Sequence, residues 1–182
     1  MKNKGRLIKK GNLYYPAKEF KRKALANKEA IYKSALKNPV KFWEELAKEL
    51  LWIKKWKKSF KHNPPHFKWF ESGKINITQN ILERNLEQRR NKVAFIWEPE
   101  SVDERQRVFT YYDLSREVNK FANVLKKMGV KKGDRVGIYL PMIPEAIISM
   151  LACARIGAVH SVVFSAFSSK ALQLRLQDAK AE

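Results

Sequence analysis

The chain has 182 residues, 45% of them hydrophobic, and a formal net charge of +20, which allows one domain, or one domain with an extension, around a sizeable core. No apolar run reaches the ~18 residues that span a bilayer, and no apolar segment follows the basic N-terminus, so neither a membrane protein nor a signal peptide is expected. The single cysteine, Cys153, cannot form an intrachain disulfide, which favours a cytoplasmic protein in which Cys153 is a small core residue.

The positive charge is concentrated in residues 1–70, which hold 20 Lys and Arg against 5 Asp and Glu. One hypothesis is a basic module that binds nucleic acid or another partner, because Trp52 and Trp56 lie among lysines and aromatic rings stack on bases. The alternative is a solvent-facing surface filled with lysine. The sequence favours this alternative, and nucleic-acid binding is not expected, because lysine far outnumbers arginine and no nucleic-acid-binding motif accompanies the charge.

The first 90 residues divide into a basic arm, residues 1–16, and a helical and irregular segment, residues 17–90. Residues 17–37 have the thin apolar stripe of a surface helix. A second helix begins at Asn38 and Pro39, a capping side chain followed by proline at the first helical position. Its broad apolar face predicts docking on another surface. The aromatic residues of 52–70, interrupted by two prolines, predict an irregular strap packed onto a larger body.

Short strands and helices alternate in the next part of the chain. We predict a turn at 71–73, a strand at 75–78, a helix at 79–90, and a hairpin whose strands are 93–97 and 108–110. A long helix starts at Thr110, where Asp113 approximates the second half of a capping box, and Gly129 ends it. Its apolar positions recur at helical spacing, so one face should enter the core.

Residues 134–167 are predicted to form a strand, a helix and a second strand. The two strand segments, 136–140 and 159–164, are apolar runs typical of strands buried on both faces. Pro144 suits the first helical turn and Gly157 suits the C-terminal cap. Strands joined in this way run parallel, so the fold class is α/β, with an N-terminal helical and irregular strap before the βαβ unit. A last helix follows, capped by Ser168 or Ser169.

A crossover helix normally leads to another parallel strand beside the first. Residues 168–182 contain a helical pattern and no return strand. We therefore expect the sheet to be incomplete and the chain to be a piece of a larger α/β protein.

Few residue patterns in the chain point to chemistry. There is no glycine-rich phosphate loop, and the spacing of His62, His66 and Cys153 does not suit a metal. His160 begins a strand and is interpreted as a structural histidine. In open α/β sheets, ligands bind beyond the carboxyl ends of the strands, here residues 140–142 and 164–167. On the residues alone, the second segment is equally well an ordinary strand-to-helix turn.

Several long segments resemble the family of AMP-forming acetyl-CoA synthetases, within the adenylate-forming superfamily. They are residues 118–125, 139–146 and 150–164, together with the motifs Asn38-Pro39, Phe42-Trp43, Pro64-Pro65 and those of 67–76. The resemblance covers about residues 14–182, and the motifs occur in the family's order. It implies that residues 17–90 are the family's N-terminal segment and that residues 91–182 are the start of the large AMP-binding domain.

The resemblance also implies an activity, acetate–CoA ligation. In that reaction a carboxylate attacks ATP to give an acyl-adenylate and pyrophosphate, and coenzyme A then takes the acyl group; Mg²⁺ accompanies ATP. Propionate and other short-chain acyl–CoA ligases share much of this region, so the acyl group stays open. In the family the phosphate loop, the acyl pocket and the catalytic lysine lie beyond the part that this chain resembles. The chain alone is therefore expected to be inactive, with the remainder of the ligase as its partner.

One site of the family falls within the chain. Its strand-end motif usually reads Phe-Gly-Gly-Phe-Ser and lies by the coenzyme A entrance, and here it reads Phe164, Ser165, Ala166, Phe167, Ser168. The resemblance thus implies coenzyme A contacts at Phe164, Ser165 and Ala166. A Cβ at both glycine positions narrows the approach to the backbone and disfavours a positive φ.

Overall fold

The structure, a computed structural model, describes residues 7–181. This part of the chain divides into two compact units, the first made of residues up to Glu49 with His62–Phe67, the second of Leu50–Lys61 with the residues from Lys68 onward. Of the predicted basic arm, residues 1–6 lie outside the described residues. Its remainder is not a loose arm, because strands β1 (Ile8–Lys10) and β2 (Leu13–Tyr15) pair in an antiparallel hairpin.

The single helix predicted for residues 17–37 is wrong, because the structure has two short helices there. They are α1 (Lys18–Lys23) and α2 (Glu29–Lys37). Ala24 leaves the helical conformation with ψ 137°, and the Asn27 amide donates to the Arg22 carbonyl at 2.7 Å, which fixes a turn. Neither helix contains a buried residue, so no packing opposes this local turn chemistry.

Helix α3 (Pro39–Ala47) begins where the sequence predicts. The Asn38 side chain accepts a hydrogen bond from the Lys41 N–H at 2.9 Å, and proline follows it in the first turn. The apolar face of α3 is nevertheless exposed within its unit, since Trp43 is 51% exposed and Leu46 41% exposed. The docking predicted for this face is therefore incomplete among the described residues: Ala47 is buried, whereas Trp43 and Leu46 stay exposed.

The irregular strap predicted for residues 52–70 is wrong in part, because a hairpin occupies most of it. Strands β3 (Lys58–Asn63) and β4 (His66–Glu71) form a two-stranded sheet around the cis Pro64–Pro65 bond. Facing rings stabilise the pairing, with His62 stacked on Phe67 at 5.1 Å and Phe60 against Trp69 at 4.6 Å. Three further rings contact one another at 4.8–5.5 Å, those of Trp52, Trp56 and Phe70, so the aromatic residues pack on each other. Packing of this segment onto a larger body stays a prediction.

The strand predicted at residues 75–78 is wrong. Only Lys74 pairs, in an isolated bridge with Lys54. The Asn76 side-chain oxygen accepts from the Thr78 N–H at 2.9 Å, a local bond that turns the chain into a helix instead of a strand. A π-helical turn (Gln79–Glu83) and α4 (Arg84–Arg89) follow, which confirms the helix predicted there.

The predicted hairpin and long helix are confirmed. Strands β5 (Val93–Trp97) and β6 (Arg107–Thr110) pair antiparallel, and α5 (Tyr111–Lys127) follows directly. Thr110 and Asp113 form the complete capping box, with each side chain bonded to the other residue's backbone N–H. One face of α5 enters the hydrophobic core through Leu114, Val118, Ala122 and Leu125.

The predicted βαβ unit is confirmed. Strand β7 (Arg135–Leu140), helix α6 (Pro144–Ile156) and strand β8 (Val159–Phe164) follow one another, and the strands pair in parallel from Arg135–Val159 to Leu140–Phe164. Gly157 ends α6 in the left-handed conformation, φ 81°, as a C-terminal cap requires. Helix α7 (Ser169–Ala179) follows, and the side chain of Ser168 caps its first turn.

The prediction that β7 and β8 are buried on both faces is wrong for the described residues. In β8 Val163 is buried, whereas Val159, Val162 and Phe164 are 50–60% exposed. The reason is that the sheet has only two strands in residues 7–181, so β8 has a neighbouring strand on one side alone. The core lies instead where α5 packs on α6, around Val118, Ala152 and Cys153.

Candidate functional site

The candidate site is the turn that leads from β8 into α7. Its first and last residues are joined, since the Phe167 N–H donates to the Phe164 carbonyl at 3.0 Å. The Tyr139 hydroxyl, on β7, donates to the carbonyls of Ser165 at 2.7 Å and Phe167 at 3.0 Å. Tyr139 therefore fixes the turn relative to the neighbouring strand.

Ser165 and Ala166 hold this turn without a left-handed backbone. Among residues 7–181, the non-glycine residues with positive φ are Phe70, Ser72 and Lys180. The turn therefore has no conformation that only glycine favours. The effect of Ser165 and Ala166 is therefore steric, because the Cβ of each residue occupies space beside the backbone.

The turn is accessible and chemically mixed. Phe164 is 60% exposed and Ala166 is exposed, while Ser165 is half-buried. The rings of Phe164 and Phe167 meet edge to face at 6.0 Å, and the Arg175 guanidinium lies 4.2 Å from the centre of the Phe167 ring. Apolar rings beside a helix N-terminus and a cation suit a ligand with an apolar segment and an anionic group.

The structure brings both predicted strand ends to one edge. Leu140 and Phe164 are register partners, so residues 140–142 and 164–167 leave the sheet side by side. The Trp97 indole N–H donates to the Met142 carbonyl at 2.7 Å, which ties the first segment to β5. Met142 itself is 86% exposed.

The remaining titratable candidates do not join this edge. Cys153 is fully buried, and its burial raises the pKa of the thiol. His160 is exposed on β8, so the prediction of a histidine in a buried strand is wrong. Within residues 7–181 no three His, Cys, Asp or Glu side chains come together as a metal site, and no helix there is long and apolar enough to cross a membrane.

Sequence reasoning missed the residues that hold the βαβ unit to the preceding segment. The Asn76 amide donates to the Ala154 and Arg155 carbonyls at 3.3 and 3.0 Å, at the end of α6. Arg155 forms an ion pair with Glu83 in the π-helical turn. Tyr139 was also missed, although a tyrosine in a strand expected to be buried needs a hydrogen-bond acceptor, and that requirement was a usable signal.

Comparison with known proteins extends these observations. Residues 28–81 match the profile of the acetyl-coenzyme A synthetase N-terminus, and residues 82–182 match the AMP-binding enzyme family. An acetyl-coenzyme A synthetase of Leptospira biflexa is 52% identical over 177 residues, which cover 94% of this chain and 27% of that protein. One of Gemmatimonas aurantiaca is 47% identical over 173 residues, covering 94% and 26%.

A solved structure agrees in fold. The acetoacetyl-CoA synthetase from Streptomyces lividans superposes with a TM-score of 0.76 at 24% identity, over 82% of this chain and 23% of that chain. The chain spans about a quarter of the length of the curated relatives it matches. From the two profile matches and these identities, the chain belongs to the AMP-binding enzyme family and corresponds to the N-terminal part of proteins of the acetyl-coenzyme A synthetase type.

Proposed function

We propose that this chain is the N-terminal part of an AMP-forming acetate–CoA ligase. The enzyme would activate acetate with ATP to acetyl-AMP and pyrophosphate and pass the acetyl group to coenzyme A. The observation that carries the proposal is the continuous match of residues 28–182 to the two profiles of this type, in that order. Propionate or another short-chain acid is the alternative substrate, because the acyl pocket is expected outside this chain.

The proposal also assigns each segment of the chain to a part of the complete enzyme. Residues 17–90 would form the family's N-terminal segment and residues 91–182 the start of the large AMP-binding domain, after a basic arm at 1–16. ATP, Mg²⁺ and coenzyme A would bind the complete enzyme in the cytoplasm. The partner of this chain would be the remainder of the ligase. By resemblance to the family, that remainder would contain the phosphate loop and the catalytic lysine.

Acetate-dependent exchange between ATP and labelled pyrophosphate tests the activity. The isolated chain should show no exchange above background. A chimera, in which the chain replaces the matching part of the Leptospira biflexa relative, should show exchange, because the chain is 52% identical to the part that it replaces. Robust exchange by the isolated chain, or a folded chimera without exchange, would contradict the proposal.

We also propose that Phe164, Ser165 and Ala166 line the coenzyme A entrance. The support is the exposed turn that Tyr139 fixes at the carboxyl end of β8. In the chimera, Ser165→Gly with Ala166→Gly should lower the KM for coenzyme A, because two Cβ atoms leave the approach. Pyrophosphate exchange should stay unchanged.

The matched control for that pair is Ala26→Gly, which removes a Cβ from an exposed residue of another turn. It should change neither KM nor exchange. An unchanged KM for coenzyme A in the double variant, or an equal change in the control, would contradict the placement of the entrance at this turn.

A further inference from the structure

A basic cavity lies at the other edge of the βαβ unit, before the first residues of β7 and β8. It has a volume of about 520 Å³ and lies between the last turns of α5 and α6 and the loop that leads into β7. Three lysines and two amides line it: Lys126, Lys131, Lys132, Asn119 and Asn123. No Asp or Glu belongs to this lining.

These cationic side chains have no partner among residues 7–181. None of the three lysines forms an ion pair or a side-chain hydrogen bond in that part of the chain, and the amides of Asn119 and Asn123 form none either. Arg155, which also borders the cavity, is neutralised by Glu83. The three lysine side chains of the cavity are therefore not neutralised by an ion pair within the described structure.

The cations are not needed to complete the two helix ends. The last carbonyls of α5 accept from the backbone N–H groups of residues 128–130 at 3.0–3.1 Å. Those of α6 accept from the N–H groups of Gly157 and Ala158 and from the Asn76 amide. Because these acceptors already have donors, the lysine ammonium groups remain available for a ligand.

Three contacts hold the loop in place. The Asp134 carboxylate accepts from the Lys131 backbone N–H at 2.6 Å, so this acid binds the loop backbone and not a lysine side chain. Lys132 lies over Gly157, where an added Cβ would fall 2.9 Å from its Cγ. The Gly133 N–H donates to the Gly157 carbonyl at 3.0 Å. The stem of Lys132 is thus positioned before any ligand arrives, which reduces the entropy lost on binding.

We propose that this cavity binds a small phosphate-bearing anion with at least two negative charges. Ammonium groups and amide N–H groups both donate to phosphate oxygens, and the charge-assisted bonds are the stronger ones. The volume lies within the range of small-molecule sites. Inorganic pyrophosphate and a nucleoside diphosphate both carry such phosphate groups. Only the nucleotide has a base, which would contact the apolar residues that line the cavity, Ala122, Val130 and Ile156.

Equilibrium dialysis of the whole chain against labelled pyrophosphate tests the proposal. We choose a salt concentration near 0.15 M, where screening over about 8 Å suppresses non-specific attraction. The method counts ligand per chain and so works whatever the oligomeric state. We expect saturable binding of one pyrophosphate per chain. Lys131→Ala with Lys132→Ala should weaken it roughly tenfold or more, since the loss of a single charged hydrogen bond already costs about that factor.

The matched control is Lys54→Ala with Lys55→Ala, which removes the same charge from exposed positions outside the cavity. It should leave the affinity within about twofold, because these lysines do not line the cavity and salt screens their exposed charges. Circular dichroism confirms that both variants fold. Non-saturable binding, or equal weakening in both double variants, would overturn the proposal, because the attraction would then be general.

ADP in place of pyrophosphate distinguishes the two sources of phosphate. Tighter binding of ADP, lost in the Lys131 and Lys132 variant, identifies a nucleotide site. Equal binding of both ligands identifies a site for phosphate alone, and either result supports the cavity as the binding place. The outcome is independent of acetate activation, since the isolated chain is expected to be inactive and the readout is binding.

Discussion

Replacement of Asn76 by alanine should destabilise the junction between the N-terminal segment and the βαβ unit. The Asn76 oxygen accepts from the Thr78 N–H at 2.9 Å and from its hydroxyl at 2.7 Å, and Thr78 is only 1% exposed. Its amide donates to two carbonyls of α6. A buried polar group left without a partner costs about 1–3 kcal/mol. Asn76→Ala leaves the Thr78 N–H, the Thr78 hydroxyl or both without an acceptor. We therefore expect it to lower the free energy of unfolding by about 2–4 kcal/mol.

Urea unfolding followed by tryptophan fluorescence measures this cost, because Trp52 and Trp56 lie in the same unit as Asn76. The control is Asn123→Ala, which makes the same change at an exposed helical position and should change stability by less than about 0.5 kcal/mol. Asn76→Asp keeps the acceptor for Thr78 and removes the donor, so its cost combines the lost bonds to α6 with repulsion between the new carboxylate and the α6 carbonyls. If Asn76→Ala and Asn123→Ala unfold at the same urea concentration, the reasoning is refuted.

Four further outcomes follow from other contacts. Gly137→Ala places a Cβ against Leu176 of α7 and should cost about 1–3 kcal/mol, with a double-mutant cycle against Leu176→Ala showing non-additivity; additive costs would contradict the contact. Hydrogen bonds from the Thr110 hydroxyl and the Thr110 N–H lower the pKa of Asp113 in the folded chain. The ionised Asp113 carboxylate therefore stabilises the fold above the pKa of an unfolded aspartate, about 3.9, and this stabilisation is lost as pH falls through the lower pKa of the folded chain. The difference in unfolding free energy between the wild type and Asp113→Asn should therefore shrink from pH 7 to pH 3, and a constant difference would argue against this bond. Cys153 should react with a thiol reagent only as the chain unfolds, because burial excludes the reagent and raises the pKa of the thiol; rapid labelling of the folded chain would contradict this. The exposed edge of β8 should cause self-association in light scattering, which a monodisperse monomer would disprove.

Local signals explain the part of the fold that the sequence predicted. Thr110 with Asp113, and Pro144 with Gly157, each act through residues within one helical turn, so their pattern is readable without tertiary information. The parallel pairing of β7 and β8 followed from the length and apolar character of two runs joined by a helix. These elements form the scaffold that positions the candidate turn.

The errors arose where a contact distant in sequence or a single side chain decided the outcome. Residues 75–78 alternate like a strand, but one hydrogen bond from Thr78 to Asn76 turns them into a helix start. The exposure of β8 depends on the number of strands in the described sheet. A local sequence pattern does not predict that number. At the candidate site the accessible turn was predictable. The need of Tyr139 for a hydrogen-bond acceptor was predictable too, whereas the identity of its acceptors, the Ser165 and Phe167 carbonyls, was not. The coenzyme A role of Phe164, Ser165 and Ala166 stays a prediction.

The two edges of the βαβ unit carry different chemistry and act independently. The paired register runs from Arg135–Val159 to Leu140–Phe164, five residue steps, which at about 3.3 Å per step separates the edges by roughly 16 Å. That exceeds the screening length of about 8 Å at physiological salt, so charges removed at Lys131 and Lys132 have little effect on the turn at the other edge. The strand-end turn, with its apolar rings and Arg175, suits a substrate of the proposed ligase, and the lysine cavity suits a separate anion. A result at one edge therefore neither supports nor weakens the proposal for the other.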